Sequence, residues 1–259
     1  MKQLKSYESF AAKTAAFFGR GMATNCFLSR DILEREIAAG NLYISETEGC
    51  LLLFRKRQTH WQMYFYLADG VPALPQLPFV TEIACRARDT ALLEAVNRLK
   101  NAGLQCLCTR HRRKLPAVEA QDSTAVFAQA RDLEAAYALM QASFSPLTGC
   151  LPTQEELLCD IQSRELLLLK KEDQIAGLLH FQNTKPALEI RHLATDAAFR
   201  GQGVASALLQ SLFTLPDVRA FRVWVVDGNT AAERLYEKNG FREDGFFSHV
   251  LGYMTGKDD

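Results

Sequence analysis

Apolar residues along this chain recur with a helical period in some stretches and with a period of two in others, and the switches mark out its elements. In the first half, Ser29–Ile37 reads as an amphipathic helix with Ser29 as its cap. The runs Leu42–Ser45, Cys50–Arg55 and Trp61–Leu67 follow as strands. A loop carrying Pro72, Pro75 and Pro78 leads to a strand Phe79–Ala84, a helix Thr90–Ala102 and a strand Leu104–Arg110. In the second half, Thr124–Gln129 reads as a strand and Arg131–Ser143 as a helix. The capping box Thr153-Gln154-Glu155-Glu156 opens a further helix that runs to Gln162. Strands are predicted at Glu165–Lys170, Gln174–Gln182 and Ala187–Thr195, then a helix Gly203–Phe213 and a strand Ala220–Val226. The helix Thr230–Asn239 ends at Gly240, a residue suited to the left-handed cap. Two short closing strands are expected, near Phe241–Glu243 and from Phe246 to Tyr253.

The stretch Leu115–Ser123 carries a proline and no period, which divides the chain into 1–116, a linker 117–123, and 124–259. Both halves run helix, strand, strand, strand, later helix. Laying Asn41–Ile44 on Glu165–Leu168 and Trp61–Ala68 on Ala187–Ala194 gives an internal repeat of weak identity, carried by the order of elements. Strands that alternate with helices in both halves imply mixed α/β or α+β sheets.

Composition narrows the function classes. Of 259 residues, 48% are hydrophobic and 23% charged, enough for a full core. Thirty basic and thirty acidic side chains cancel, so no overall field points to nucleic acid or to an anionic membrane. The basic run Cys108–Lys114 admits two readings, a nucleic-acid patch or a solvated strand end entering a linker, and the second is preferred. No apolar stretch reaches the ~18 residues of a membrane span, and Met1–Glu8 lacks the apolar core of a signal peptide. Seven cysteines without CxxC spacing indicate neither a disulfide framework nor a zinc site, which fits a reducing cytoplasm.

One segment carries chemistry. Arg200-Gly201-Gln202-Gly203-Val204-Ala205 lies between an apolar strand and an amphipathic helix. Glycine allows a tight turn and close approach to the backbone, and the amides after it point out of a helix N-terminus whose dipole favours anions. Such a turn also occurs with no ligand at all. Ser206 stands where a dinucleotide fingerprint needs glycine or alanine, and no lysine sits in P-loop position, so both of those ligand classes are disfavoured.

The neighbouring residues sharpen this. Arg200, Gly203 and Ala205 fit the acyl-coenzyme A signature (Gln/Arg)-x-x-Gly-x-(Gly/Ala), and Asn229–Phe241 fits Asn-x-x-Ala-x-x-Leu-Tyr-x-x-x-Gly-Phe. With both motifs in order, the half from Thr124 onward resembles the GNAT superfamily of N-acetyltransferases. The resemblance implies a tandem architecture in which each half is a mostly antiparallel central sheet flanked by helices. It also implies acetyl-CoA as cosubstrate, no metal, and an acceptor amine on a small molecule or peptide attacked directly in a ternary complex. Neither nucleic acid nor membrane is an expected partner, and the chain would be a monomer or homodimer.

By that resemblance the backbone of Leu193, Ala194 and Thr195 receives pantetheine as an added strand, and the pyrophosphate rests on the amides of Gly201, Gln202, Gly203, Val204 and Ala205 beside Arg200. Asn229 and Ala232 line the cofactor, and Tyr236 lies next to its sulfur as the general acid. Glu189, eleven residues before Arg200, is the candidate base; a plain ion pair with Arg191 is the equal alternative. Strict alternation would put Glu189, Arg191 and Leu193 on one face and Ile190 with His192 on the other. His192 either titrates near neutrality or packs as a satisfied histidine, the second preferred, and His180 and His60 read as structural.

The first half has no glycine between Gly70 and Gly103, and aligning Gly103 with Gly240 puts Leu99 in the place of Tyr236. It therefore reads as a degenerate copy covering an open edge or substrate side. Two functions from different classes remain, an N-acetyltransferase and a non-catalytic acyl-CoA-binding or sensory module. Transfer of another acyl group, or to a hydroxyl, also fits these residues. The acceptor would be shaped by the loop Phe144–Thr153 and the strands near Phe246–Tyr253.

Overall fold

The computed structural model describes residues 1–18, 21–70, 72–118 and 124–253; most of the expected linker, 119–123, lies outside them. The chain divides into two compact units, Met1–Thr109 with Phe246–Asp259, and Arg110–Gly245. This partition is not the contiguous one read from the sequence, because two strands pass from one unit to the other.

The first unit contains β1 (Lys2–Gln3), α1 (Tyr7–Phe18), β2 (Ala23–Thr24), α2 (Arg30–Ala38), β3 (Leu42–Thr47), β4 (Cys50–Lys56), β5 (Trp61–Leu67), β6 (Phe79–Arg86) and α3 (Thr90–Asn101). The long strand β7 (Gln105–Pro116) begins there and ends in the second unit. That unit continues with β8 (Val126–Phe127), α4 (Leu133–Ser143), α5 (Gln154–Gln162), β9 (Leu166–Lys171), β10 (Gln174–Asn183), β11 (Ala187–Thr195), α6 (Val204–Phe213), β12 (Ala220–Val226) and α7 (Thr230–Lys238). Finally β13 (Arg242–Tyr253) starts in the second unit and finishes in the first. Among the described residues no helix is long and apolar enough to cross a membrane.

The strands of the two units follow one order. In the second unit it is β8-β9-β10-β11-β12-β7, and in the first β1-β3-β4-β5-β6-β13. Each has a single parallel pair, β11 with β12 and β5 with β6. All the other pairs are antiparallel. The mixed, mostly antiparallel, helix-flanked sheet expected from the sequence is thus present in both units. The sixth strand of each comes from the far end of the chain. Arg110–Pro116 pairs with Ala220–Val226 in the second unit, and Phe246–Tyr253 pairs with Phe79–Arg86 in the first.

Both faces of each sheet are covered. In the second unit one face carries Leu179, Phe181, Leu188 and Ile190 under α6 and α7, and the other carries Leu178 and Ala194 under α4 and α5. In the first unit α3 covers the face of Phe54, Phe65 and Ile83, and α1 with α2 covers that of Leu42, Leu51 and Leu53.

Several expectations are corrected. The basic run is not a solvated strand end but the middle of β7, where Arg112 pairs with Asp244 at 2.6 Å and buried Arg113 reaches Glu237 at 3.0 Å and Glu243 at 3.4 Å. One continuous β13 replaces the two closing strands. The sequence reading missed α1, whose Phe10, Thr14 and Phe17 recur at helical spacing and are buried. It also missed β2, which adds to β5 through Ala23↔Leu67 and Thr24↔Tyr66.

Beyond β2, Asn25 stitches the parallel strands of the first unit together. The β5·β6 pairing stops at Gln62↔Val80. Past that point the Asn25 carboxamide oxygen accepts from the Phe65 N–H at 2.8 Å, while its NH2 donates to Thr81 Oγ1 and the Glu82 carbonyl, each at 2.9 Å. A buried polar residue thereby satisfies backbone groups that the diverging strands leave unpaired.

Strand exchange makes a fragment prediction. A piece spanning 124–259 lacks Arg110–Pro116, so the β12 edge with its buried Phe221, Val223 and Val225 loses its partner. Arg110–Gly245 keeps that pairing. Circular dichroism melts of the two fragments should show a cooperative transition for 110–245 and a broad, aggregating one for 124–259. Equal melts would contradict the assignment.

Candidate functional site

The feature that shapes the second unit is where β11 leaves β12. Their parallel register runs from Ala187↔Ala220 to Ile190↔Val223 and then ends. Strand β12 stays paired with β7 as far as Val226↔Arg110, and β11 stays paired with β10 through Leu193↔Leu179, Ala194↔Leu178 and Thr195↔Gly177. The two central strands therefore splay. Residues 191–195, about 16 Å of strand at ~3.3 Å per residue, present on their β12 side an edge that β12 does not cover.

A bulge accompanies the splay. The β10·β11 register passes from His180↔His192 directly to Phe181↔Ile190, so Arg191 is an extra residue on β11. This overturns the face assignment read from simple alternation. Leu188 and Ile190 sit in the cluster under α6 and α7, and Leu193 packs against it. Alternation up to the bulge puts Glu189 on the opposite face. Beyond the bulge, His192 stacks on His180 and meets the Phe144 ring edge-on at 4.9 Å, on the α4–α5 face. Glu189 and His192 therefore share a face, and Ile190 and His192 do not.

Helix α6 begins close against this splay. A Cβ on Gly177 would lie 2.5 Å from Val204 Cγ1 and 2.8 Å from the Ala194 carbonyl, so only glycine lets the first turn of α6 come so near β10. Ahead of it, Gly201 and Gly203 hold φ of 74° and 79°, a left-handed backbone that costs other residues about 1–2 kcal/mol. An added Cβ at either position would meet nothing within 4 Å, and Arg200 to Gly203 are all exposed. The turn is therefore open to a ligand, and the amides of Val204 and Ala205 have no intrahelical acceptor. That chemistry suits an anionic phosphate.

A pocket of about 300 Å³ flanks this turn, lined by residues that include Lys170, Lys171, Gln202 and Val204. The sequence reading did not single out Lys171, whose Nζ donates to Gln202 Oε1 at 2.7 Å. No spacing rule links the β9–β10 hairpin to the glycine turn; only the folded sheet does.

The second motif lies on α7. Asn229 caps the helix, its Oδ1 accepting from the Ala232 N–H at 3.2 Å. Tyr236 is 5% exposed within the cluster under α6 and α7, edge-on to Phe241 at 5.2 Å. Burial pushes its phenol well above the ordinary range, so it keeps its proton at any physiological pH. Glu189, on the other face, is partly exposed and lies 3.7 Å from the Arg191 guanidinium. Tyr236 and Glu189 thus stand on opposite faces of the sheet.

The α4–α5 face holds a polar chain that the sequence did not reveal. Asp160 Oδ2 lies 3.0 Å from His180 Nε2, His180 Nδ1 3.0 Å from His192 Nδ1, and His192 Nε2 2.7 Å from the Gly149 carbonyl. Burial, then the positive potential of His180, pushes His192 down to about 3, with the Gly149 hydrogen bond opposing. That excludes its titration near neutrality as an isolated group. The chain ends in the loop between α4 and α5, where Cys150 adopts φ 51°, a strain of order 1–3 kcal/mol for a residue with a side chain. Among the described residues, no group of three or more His, Cys, Asp or Glu is placed to hold a metal ion.

Residues 133–241 match the acetyltransferase (GNAT) family, so a GNAT acetyltransferase domain occupies most of the second unit. Similar solved structures extend the likeness over much of the chain. A GCN5-related N-acetyltransferase from Sphaerobacter thermophilus is 18% identical, with a TM-score of 0.58 over 79% of this chain and 76% of that one. An acetyltransferase from the GNAT family from Colwellia psychrerythraea is 12% identical, with a TM-score of 0.55 over 97% of each chain. A GCN5-related N-acetyltransferase from Kribbella flavida is 13% identical, with a TM-score of 0.52 over 85% and 92%. At these identities the likeness is one of fold. No curated protein matches the chain in sequence.

The close approach at Gly177 is testable. Gly177→Val should overpack the α6 contact and lower stability by about 1–3 kcal/mol in denaturant unfolding. An unchanged midpoint would mean that α6 does not start where described.

Proposed function

We propose that the second unit transfers an acetyl group from acetyl-CoA to a primary amine of a small molecule or peptide, by direct attack within a ternary complex. The family match and fold support an acetyltransferase in general. The observation that carries the finer reading is the edge of β11 from Arg191 to Thr195, left open by β12 and leading into the glycine turn of α6.

On this reading the backbone of Leu193, Ala194 and Thr195 pairs with the pantetheine amides as an added strand. The pyrophosphate lies against the amides of Gly201, Gln202, Gly203, Val204 and Ala205, with Arg200 adding a cation. The left-handed glycines and the open space around them fit that group. Asn229 and Ala232, at the start of α7, face the cofactor. An amide of the open edge, that of Leu193, stabilises the thioester oxygen as charge builds on it.

Tyr236 supplies a proton to the departing thiolate. Its raised pKa keeps the acid form populated but makes donation uphill until charge concentrates on sulfur. Glu189 takes the proton of the incoming ammonium, directly or through water, from the face on which the 144–153 loop lies. The Arg191 guanidinium lies 3.7 Å from its carboxylate.

The first unit is proposed to be a degenerate copy without a cosubstrate site. Where the second unit leaves its parallel strands open, β2 and the Asn25 carboxamide fill the divergence of β5 and β6. Acetyl-CoA should therefore bind with one site per chain.

A second reading, a non-catalytic acyl-CoA-binding or sensory module, is favoured by the apolar surroundings of Tyr236. Thiol release from acetyl-CoA across a panel of amino acids, amines and peptides separates the two; release with none of them would leave the module.

Tyr236→Phe should lower turnover by about 10²-fold or more while calorimetry finds acetyl-CoA affinity nearly unchanged. Full turnover would remove Tyr236 as the acid. Gly203→Glu sets a carboxylate against the pyrophosphate in a backbone conformation that glycine prefers, and should abolish binding. Calorimetric titration of the unaltered chain should return a stoichiometry near one; a value near two, or binding retained by Gly203→Glu, would contradict the cradle as drawn.

A further inference from the structure

Hydrogen-bond bookkeeping on the α4–α5 face leads to a requirement that the two residue types alone do not suggest. Asp160, as a carboxylate, and the Gly149 carbonyl can only accept hydrogen bonds. The nitrogens facing them, Nε2 of His180 and Nε2 of His192, must therefore both carry protons. Two neutral rings in those tautomers would then aim bare Nδ1 lone pairs at each other across 3.0 Å. That contact is a hydrogen bond only when a third proton lies between the rings. The pair holds three protons on four nitrogens and carries one positive charge, next to one carboxylate.

We propose that Asp160, His180 and His192 are positioning residues that fasten the 144–153 loop to β11 through this resident proton, so that the acceptor side of the proposed transferase keeps its shape only while the pair is protonated. The inference rests on the acetyl-transfer reading for its functional meaning, but not for its chemistry.

The geometry ties each link to a different element. Asp160 comes from α5, His180 from β10, His192 from β11 just past the bulge, and Gly149 from the loop itself. His180 and His192 are 6% and 2% exposed, and their rings stack 3° from parallel at 5.3 Å. Water is thus excluded as a substitute bridge between the two Nδ1 atoms. Burial, with the positive potential on the His180 side, makes His192 the neutral acceptor of the pair.

Arg191 and Glu189 lie on β11, and Arg110 of β7 donates to the Thr148 carbonyl in the same loop. Helix α4 packs Ala136, Tyr137 and Met140 with Leu178 and Ala194 on this face. The two arginines oppose a second proton on the pair. Loss of the one proton as pH rises leaves facing lone pairs, rotates His192 away from Gly149, and frees a loop whose Cys150 is already strained and whose Gly149 tolerates no side chain, since a Cβ there would meet the Ser145 carbonyl at 2.5 Å.

Nitrogen-15 spectra of histidine-labelled protein count ring protons directly. Near neutral pH the unaltered chain should show both Nε2 sites protonated and one shared proton on the two Nδ1 sites. The three-proton signature should disappear in a single joint step as pH rises. Hydrogen exchange of 144–153, corrected for its intrinsic pH dependence, should accelerate over the same pH interval. Asp160→Asn, which keeps a carboxamide oxygen acceptor and removes the charge, should shift that step to lower pH and speed loop exchange by about tenfold at neutral pH. It should not alter acetyl-CoA affinity.

Two ring protons at all pH values, or independent titration of the two rings, would overturn the proposal. So would loop exchange that ignores the joint step. These readouts need no acceptor. If no amine is ever acetylated, the transferase reading falls while the proton count still decides the fate of the pair.

Discussion

The end of pairing between β11 and β12 at Ile190↔Val223 is the constraint on which the second unit depends. Parallel strands that separate inside a sheet leave backbone donors and acceptors exposed at its centre, and such groups need partners. Everything around the gap accommodates it. Arg191 bulges out on one side, β12 is held by β7 on the other, and α6 is drawn down onto β10 at Gly177, so that its N-terminus arrives beside the open edge. The first unit meets the same problem differently. Its β5 and β6 part after only two paired positions, and its own β2 with the Asn25 carboxamide occupies the breach. One strand order thus yields an open cleft in one unit and a sealed one in the other.

The bulge also distributes chemistry across the sheet. By inserting a single residue it reverses which side chains look toward α6 and which toward α5. Leu193 faces the helix pair that buries Tyr236, while His192 joins Glu189 on the face of the α4–α5 loop. On the proposed reading, proton donation to sulfur and proton removal from an amine would then come from two sides of one strand, in environments of different polarity. The first is apolar, and the second has Arg191, Asp160 and two imidazoles.

What could be read beforehand follows from which interactions are local. The helix caps at Ser29 and Thr153 are bonds between residues three apart, and both form as the sequence implies. The glycine turn needs positive φ, which two glycines announce by themselves. Strand identity was legible from short apolar runs bounded by turn residues, as in Cys50–Phe54 and Leu166–Leu169. The bulge was not, because Arg191 has nothing in its neighbours to distinguish it from an ordinary exposed strand residue. The Asp160–His180–His192 chain spans three elements and becomes visible only once their register is set. The basic run of β7 misled for a related reason. Its charges look like a solvated terminus until Asp244, Glu237 and Glu243, more than a hundred residues later, come to lie against them.

The exchanged strands also impose an order on biosynthesis. A chain emerging from the N-terminus presents β6 long before its neighbour β13, while Arg110–Gly245 is complete once α7 and the residues just after it have appeared. The Arg110–Gly245 unit can therefore close its core first. The earlier-made portion must wait with the backbone of β6 unsatisfied along one side, a stretch rich in Val80, Ile83 and other apolar residues. During that interval the nascent protein exposes a ready template for intermolecular pairing. How quickly β13 follows β6 then matters to productive folding as well as the strength of either core.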